Sequence, residues 1–472
     1  MSGPAPVGRL IMPALRWSPE TGFAHEEPAI AAALEVGAGG FIIFGGPADA
    51  VRSLTTSLVA RAGRPLLIGS DLERGAGQQF DGLTELPPPR ALATLHDLDA
   101  VRRAGAITGA EARSVGVNWV FAPVADLDLA PENPIVQTRS FSDDPATAAA
   151  CVRAWVEGCQ DAGALACAKH YPGHGRTRGD SHAELPSVAA TAQELAASDA
   201  VPFDAAIAAG VASVMTAHVA FPALDSAGGP ATMSRPILEG LRAGGFDGLI
   251  VTAALIMEGA VAGRSEAAAS VDAIRAGVDV LLYPKDVRAV AAALASAVND
   301  GTLPAARVAD AQRRQLAALE RAARPPAAAD PAGAAALADR LLEAAPRRRS
   351  LPPLRAPIDL VVVDDDIGGP YPASPSDWLA RALGAAGVPL GAGGSRIVLV
   401  FSEPRAWKGR AGLGAASKAA LDAALRGSDL VVLFGHERLA GEIGGNAPVV
   451  VAWHRQRLMQ EAVARALAAN IE

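Results

Sequence analysis

The sequence predicts an α/β protein built as a (β/α)8, TIM-like barrel followed by a smaller α/β sandwich domain. Three observations carry this. Eight short apolar runs recur before residue 300, segments of helical length separate them, and a Pro- and Arg-rich connector then precedes four further apolar runs. Continuous apolar strands alternating with helices imply a parallel sheet covered on both faces. Eight such units in one stretch of this length fit a closed barrel better than an open sheet.

Taken in order, the runs are Arg9 to Pro13, Gly40 to Phe44, Pro65 to Asp71, Asn118 to Val124, Leu165 to His170, Ser213 to His218, Gly248 to Thr252 and Val278 to Tyr283. The intervening helical stretches include Pro28 to Gly37, Val101 to Val115, Ala146 to Ala162, Ser265 to Gly277 and Val287 to Asn299. After Glu320 the chain turns to Arg324-Pro325-Pro326, an Ala-rich helical piece, and Arg347-Arg348-Arg349-Ser350-Leu351-Pro352-Pro353. The predicted division is therefore a barrel over 1–322, a linker with a connecting helix over 323–357, and a sandwich domain over 358–472. In the last, Asp359 to Val363, Arg396 to Phe401, Asp429 to Phe434 and Pro448 to Trp453 read as four buried strands. Gly391-Ala392-Gly393-Gly394 lacks the following helix that phosphate binding requires, so no dinucleotide site is expected there.

Bulk composition excludes several functions. With 472 residues, half of them hydrophobic, and 19% charged, the chain reads as a packed globular protein. A net charge of -8 argues against nucleic acid as a partner, because phosphate binding requires a basic surface. Cys151, Cys159 and Cys167 form no CxxC pair and read as reduced, buried thiols, which suits a cytoplasmic protein. No run is long and apolar enough to span a membrane, and no cofactor is expected. Monomer and dimer both remain open.

The richest stretch is Lys169-His170-Tyr171-Pro172-Gly173-His174-Gly175, followed by Arg176-Thr177-Arg178-Gly179-Asp180-Ser181-His182. It holds three of the eight histidines, and its glycines and proline rule out a regular helix. A zinc hydrolase using His170, His174 and His182 is one reading, but Pro172 and Gly173 prevent the helix that would align an i, i+4 pair. In a barrel, catalytic groups gather where strands end. Asp71, Asp126, Lys169, His170 and His218 all fall at such ends, although any strand must end in something polar.

The same stretch, with Asp180-Ser181-His182 and Leu185-Pro186, resembles the signature of glycoside hydrolase family 3 β-N-acetylglucosaminidases. Phe121-Ala122-Pro123-Val124-Ala125-Asp126, Arg139-Ser140-Phe141, Met215-Thr216-Ala217-His218 and Gly245 to Thr252 occur in the family's order. The resemblance implies a retaining exo-β-N-acetylglucosaminidase that takes small carbohydrates bearing terminal GlcNAc, whether cell-wall fragments or chitooligosaccharides. It makes His182 the acid/base, paired with Asp180, and lines the sugar subsite with Asp71, Arg139, Lys169 and His170. An imidazole already titrates near neutral pH, so it suits that role. Leu72-Glu73-Arg74-Gly75 departs from the family's more usual Gln-Glu-Gly-Gly.

The main departure comes after Val251-Thr252, where the family places its nucleophilic aspartate and this chain has Ala253. A methyl group cannot attack a sugar, and removing one member of a cooperative catalytic set costs on the order of 10⁴ to 10⁶ in rate. The next acidic residue, Glu258, stands five positions further on. The chain therefore reads as a nucleophile-inactivated Asp-to-Ala variant of a hydrolase. Two alternatives stay open: a phosphorylase, with Arg176 and Arg178 near the acid/base to receive an anion, and a non-catalytic GlcNAc-binding relative.

Overall fold

A computed structural model describes residues 7–179, 185–257, 259, 263–328, 333–344, 351–369 and 373–472. It divides into two compact units. One comprises Met1–Thr84, Val101–Ala130 and Ser142–Asp330; the other comprises Glu85–Ala100, Pro131–Phe141 and Pro331–Glu472.

The first unit is the barrel. Its strands are β1 (Ile11–Met12), β2 (Ala14–Arg16), β3 (Gly40–Phe44), β4 (Leu67–Ser70), β5 (Trp119–Val120), β6 (Leu165–Tyr171), β7 (Ser213–Thr216), β8 (Leu249–Val251) and β9 (Leu281–Leu282). β2 to β8 pair in sequence order, all parallel. The ring closes through a parallel bridge between Val251 and Val280 and through β9 pairing with β1. The first predicted run, Arg9 to Pro13, holds only β1; its start is a 3-10 turn (Val7–Leu10), and β2 follows beyond Pro13, whose missing N–H cannot join a ladder. β5 is shorter than the Asn118 to Val124 run predicts, because Pro123 also lacks that donor and the chain turns off toward Asp126.

Side chains alternate across a strand, so every second residue points into the barrel. Met12, Ile42, Leu67, Trp119, Leu165, Cys167, Met215, Leu249, Val251, Val280 and Leu282 share one core cluster. Continuing these stripes toward the strand ends places Asp71 beyond Leu67 and Gly69, Lys169 beyond Cys167, and Ala253 beyond Val251. Gly69 is glycine because a Cβ there would lie 2.4 Å from the Phe121 ring. All three cysteines are buried and free; burial pushes the Cys151 thiol up to about 11 and the Cys167 thiol up to about 12, so they are inert packing groups.

The second unit carries a four-stranded parallel sheet, β10 (Asp359–Asp364), β11 (Arg396–Ser402), β12 (Leu430–Gly435) and β13 (Val449–Val451), in sequence order. The four runs occur as predicted, but β10, at one edge of the sheet, is only partly buried, with Val362 47% exposed, whereas β13 at the other edge is buried. Beyond the strand ends, the Arg455 guanidinium lies 2.9 Å from Asp364 and 3.0 Å from Asp366, while Lys408 lies 2.6 Å from Asp366 and 3.1 Å from Asp365. These buried charges are paired, as burial requires. Among the described residues no helix is long and apolar enough to cross a membrane.

Candidate active site

Lys169 ends an apolar strand in a place where an ammonium survives only if paired. Its side chain is buried; Nζ donates to Asp71 Oδ1 at 2.7 Å and lies 2.7 Å from Glu73 Oε1. Asp71 follows β4, two strands round the ring from β6. Its carboxyl is one-third exposed and opens to the barrel mouth, whereas Glu73 is nearly enclosed. Asp71 and Lys169, both expected from the resemblance to line a sugar subsite, are thus in direct contact. Glu73 is an addition that the reading of 72–75 as a departure from the family pattern did not assign; its signal is the i, i+2 spacing from Asp71, which returns the chain to the same side.

Register slips within β6, where Lys169 faces Met215 but Tyr171 faces Thr216. A bulge of this kind re-aims the side chain at its centre, and that side chain is His170. Asp126 holds it: Oδ2 lies 2.7 Å from His170 Nδ1, while Oδ1 accepts the His170 amide at 3.1 Å and the His174 amide at 2.6 Å. Burial by itself would raise the Asp126 carboxyl, but the neighbouring His170 and His174 and their hydrogen bonds outweigh it and hold the group below the usual carboxylate range. An ionised carboxylate only accepts, so His170 Nδ1 carries the proton. Asp126 is therefore a clamp on the 170–174 turn, more than the polar strand end the sequence suggests.

The loop's glycines have separate reasons. Gly173 has φ +136°, a conformation that side chains avoid. A Cβ on Gly175 would fall 1.7 Å from the Leu127 carbonyl oxygen, so the loop lies against the backbone after β5. His174 is buried, with Nδ1 2.8 Å from Thr177 Oγ1, and its ring meets that of His170 edge to face at 6.0 Å. Arg176, considered above for an anionic acceptor, is bound to Asp199 at 2.8 Å.

Ala253 follows β8 and is 8% exposed. It belongs to the same core cluster as Val251, so its methyl stands at the inner surface of the mouth, in the stripe that places Lys169 and Asp71 there. His218 lies beside it, with Nε2 3.2 Å from the Ala254 carbonyl oxygen. Arg16, which sequence reading did not single out, ends the inward stripe of β2; its Nε donates to Tyr283 Oη at 2.8 Å and its guanidinium lies 4.3 Å over the Phe44 ring.

Asp180, His182 and Glu258 lie outside the described residues. Arg139 falls in the 131–141 segment of the second unit, in a 3-10 turn (Gln137–Arg139), where it donates to the Ile135 carbonyl at 3.2 Å. Among the described residues no group of three or more His, Cys, Asp or Glu side chains is arranged to hold a metal ion.

Comparison with known proteins now bears on this geometry. A family model described as the glycosyl hydrolase family 3 N terminal domain matches residues 11–318. A β-N-acetylglucosaminidase/β-glucosidase of Cellulomonas fimi is 38% identical over 283 residues, 57% of this chain and 50% of that protein. A β-hexosaminidase of Chromobacterium violaceum is 38% identical over 259 residues, 52% of this chain and 72% of that protein. The chain thus spans half the length of the first relative and nearly three quarters of the second. The structure of a glycoside hydrolase family 3 β-N-acetylglucosaminidase from Paenibacillus sp. str. FPU-7 aligns with a TM-score of 0.85 at 26% identity, covering 100% of this chain and 97% of that one. The matched region contains every strand of the barrel and the Lys169, Asp71, Asp126 and Ala253 positions, and on that ground the chain belongs to glycosyl hydrolase family 3.

Proposed function

We propose that this chain recognises terminal β-linked GlcNAc and that its reaction, when a carboxylate stands at position 253, is retaining exo-hydrolysis. One observation carries the reading: the Lys169 ammonium, buried and held by Asp71 and Glu73, lies at the same barrel mouth as Ala253. Sugar hydroxyls are read by paired charged donors and acceptors, and a site built for them rejects ligands that leave them unpaired. His170, fixed through Nδ1 by Asp126, presents its other ring nitrogen as a further contact.

In this reading Asp180 and His182 form the acid/base dyad and Arg139 completes the sugar contacts. An aspartate at 253 attacks C1 while His182 protonates the glycosidic oxygen, and His182 then removes a proton from the water that releases GlcNAc. The present chain lacks the first of these groups, so it binds such glycosides and leaves them intact.

The test is Ala253→Asp, assayed on an aryl β-N-acetylglucosaminide with and without phosphate. Release of GlcNAc supports the proposal. Sugar 1-phosphate formed only with phosphate would assign phosphorolysis instead. A folded Ala253→Asp protein that neither turns over nor binds GlcNAc would overturn the reading.

A further inference from the structure

We infer that His218 is a positioning residue: it holds the backbone that carries residue 253 and thereby sets where that side chain is aimed. The inference rests on the reading of position 253 given above. Thr216, Thr232 and His218 are all buried and form a chain of hydrogen bonds that ends on this backbone. Thr216 Oγ1 lies 2.9 Å from Thr232 Oγ1, Thr232 Oγ1 lies 2.8 Å from His218 Nδ1, and His218 Nε2 lies 3.2 Å from the Ala254 carbonyl oxygen.

Proton counting fixes the direction of the chain. A carbonyl oxygen only accepts, so Nε2 carries a hydrogen. In the neutral ring Nδ1 is an acceptor for the Thr232 hydroxyl, which also lies 3.1 Å from the Ala217 carbonyl, and the Thr216 hydroxyl is shared between Thr232 Oγ1 and the Val251 carbonyl. Burial favours that neutral form, since a lone imidazolium would be costly here. Each of the three hydrogens has an acceptor.

Thr216 Oγ1 donates to the Val251 carbonyl at 3.2 Å and so holds the end of β8 from the β7 side, but beyond Val251 the segment is tied toward β9. Thr252 donates to the Val280 carbonyl at 3.1 Å and Leu255 to the Leu282 carbonyl at 3.0 Å. His218 supplies a hold from the β7 side, at the peptide next to residue 253. A reacting carboxylate must sit within a fraction of an ångström of its productive position. Two ties on opposite flanks can deliver that; ties on one flank let the segment pivot.

The experiment compares His218→Gln, whose amide N–H reaches as far as Nε2, with His218→Asn, whose amide stops short of Ala254. In the Ala253→Asp background the Asn variant should lose about a hundredfold in kcat with little change in KM, and the Gln variant should recover most of that loss. In the chain as it stands, amide exchange at 254–257 should be faster in the Asn variant than in the Gln variant, with β6 amides alike in both. Equal kcat values in the two variants, or equal exchange at 254–257, overturn the inference. Should Ala253→Asp itself prove inactive, the catalytic reading fails and the exchange comparison alone decides the role of His218.

Discussion

The buried imidazole of His218 makes the stability of the barrel depend on pH in a calculable way. Burial, aided by the nearby His170 and His174, pulls its pKa down to about 4, against the opposing pull of the Ala254 and Ala253 backbone, whereas an imidazole in the unfolded chain titrates near 6.5. Between these values the unfolded chain binds a proton that the native protein refuses. Stability therefore rises with pH across that window: the contribution is complete above 6.5, falls as pH drops toward 4, and levels off below it. The gap of two to three pH units corresponds to about 3 kcal/mol at most. Because the two units need not unfold together, the assay should be local: native-state exchange of β7 and β8 amides from pH 4.5 to 7.5, in the chain and in His218→Gln. Asp199 and Asp204, both raised chiefly by burial, titrate in both proteins and cancel in the comparison. The slope should be steeper in the chain by about one proton per molecule near pH 5.5. Equal slopes would show that His218 is already charged or reached by solvent, and the account of the relay would fall.

Lys169→Met removes the ammonium that separates Asp71 from Glu73 and should cost about 3–5 kcal/mol, the usual price of breaking a buried ion pair; a fall in melting temperature together with lost GlcNAc binding by calorimetry would check both parts. Gly175→Ala forces a methyl group against the Leu127 carbonyl and should destabilise the barrel by about 1–3 kcal/mol. Its melting temperature should fall, while an alanine at the open Gly210 position, being at φ +70°, would report backbone strain alone.

Much of the fold was legible because its signals are local. Apolar runs of strand length and helical stretches between them are properties of neighbouring residues, and they located every barrel strand except β2, which lies just past the first run, and the four strands of the second sheet. The loop 169–175 was legible for the same reason, since proline and glycine announce a turn wherever they stand. The alanine at 253 is as plain, being a matter of residue identity. What the sequence could not determine is which charges meet. Glu73 joins Lys169 from across 96 positions only because β4 and β6 lie two places apart in a closed ring, and Asp126 clamps the 170–174 turn because the chain beyond β5 runs beside β6. The partial exposure of β10 is likewise decided by what packs on it, since Leu360 to Val363 is as apolar as any core strand and β13, at the other edge of the sheet, is buried. The grouping of 85–100 and 131–141 with the second unit has the same origin, for it is made by contacts between segments far apart in the chain. Periodicity is written into each strand by itself; pairing between distant side chains exists only once the ring has closed.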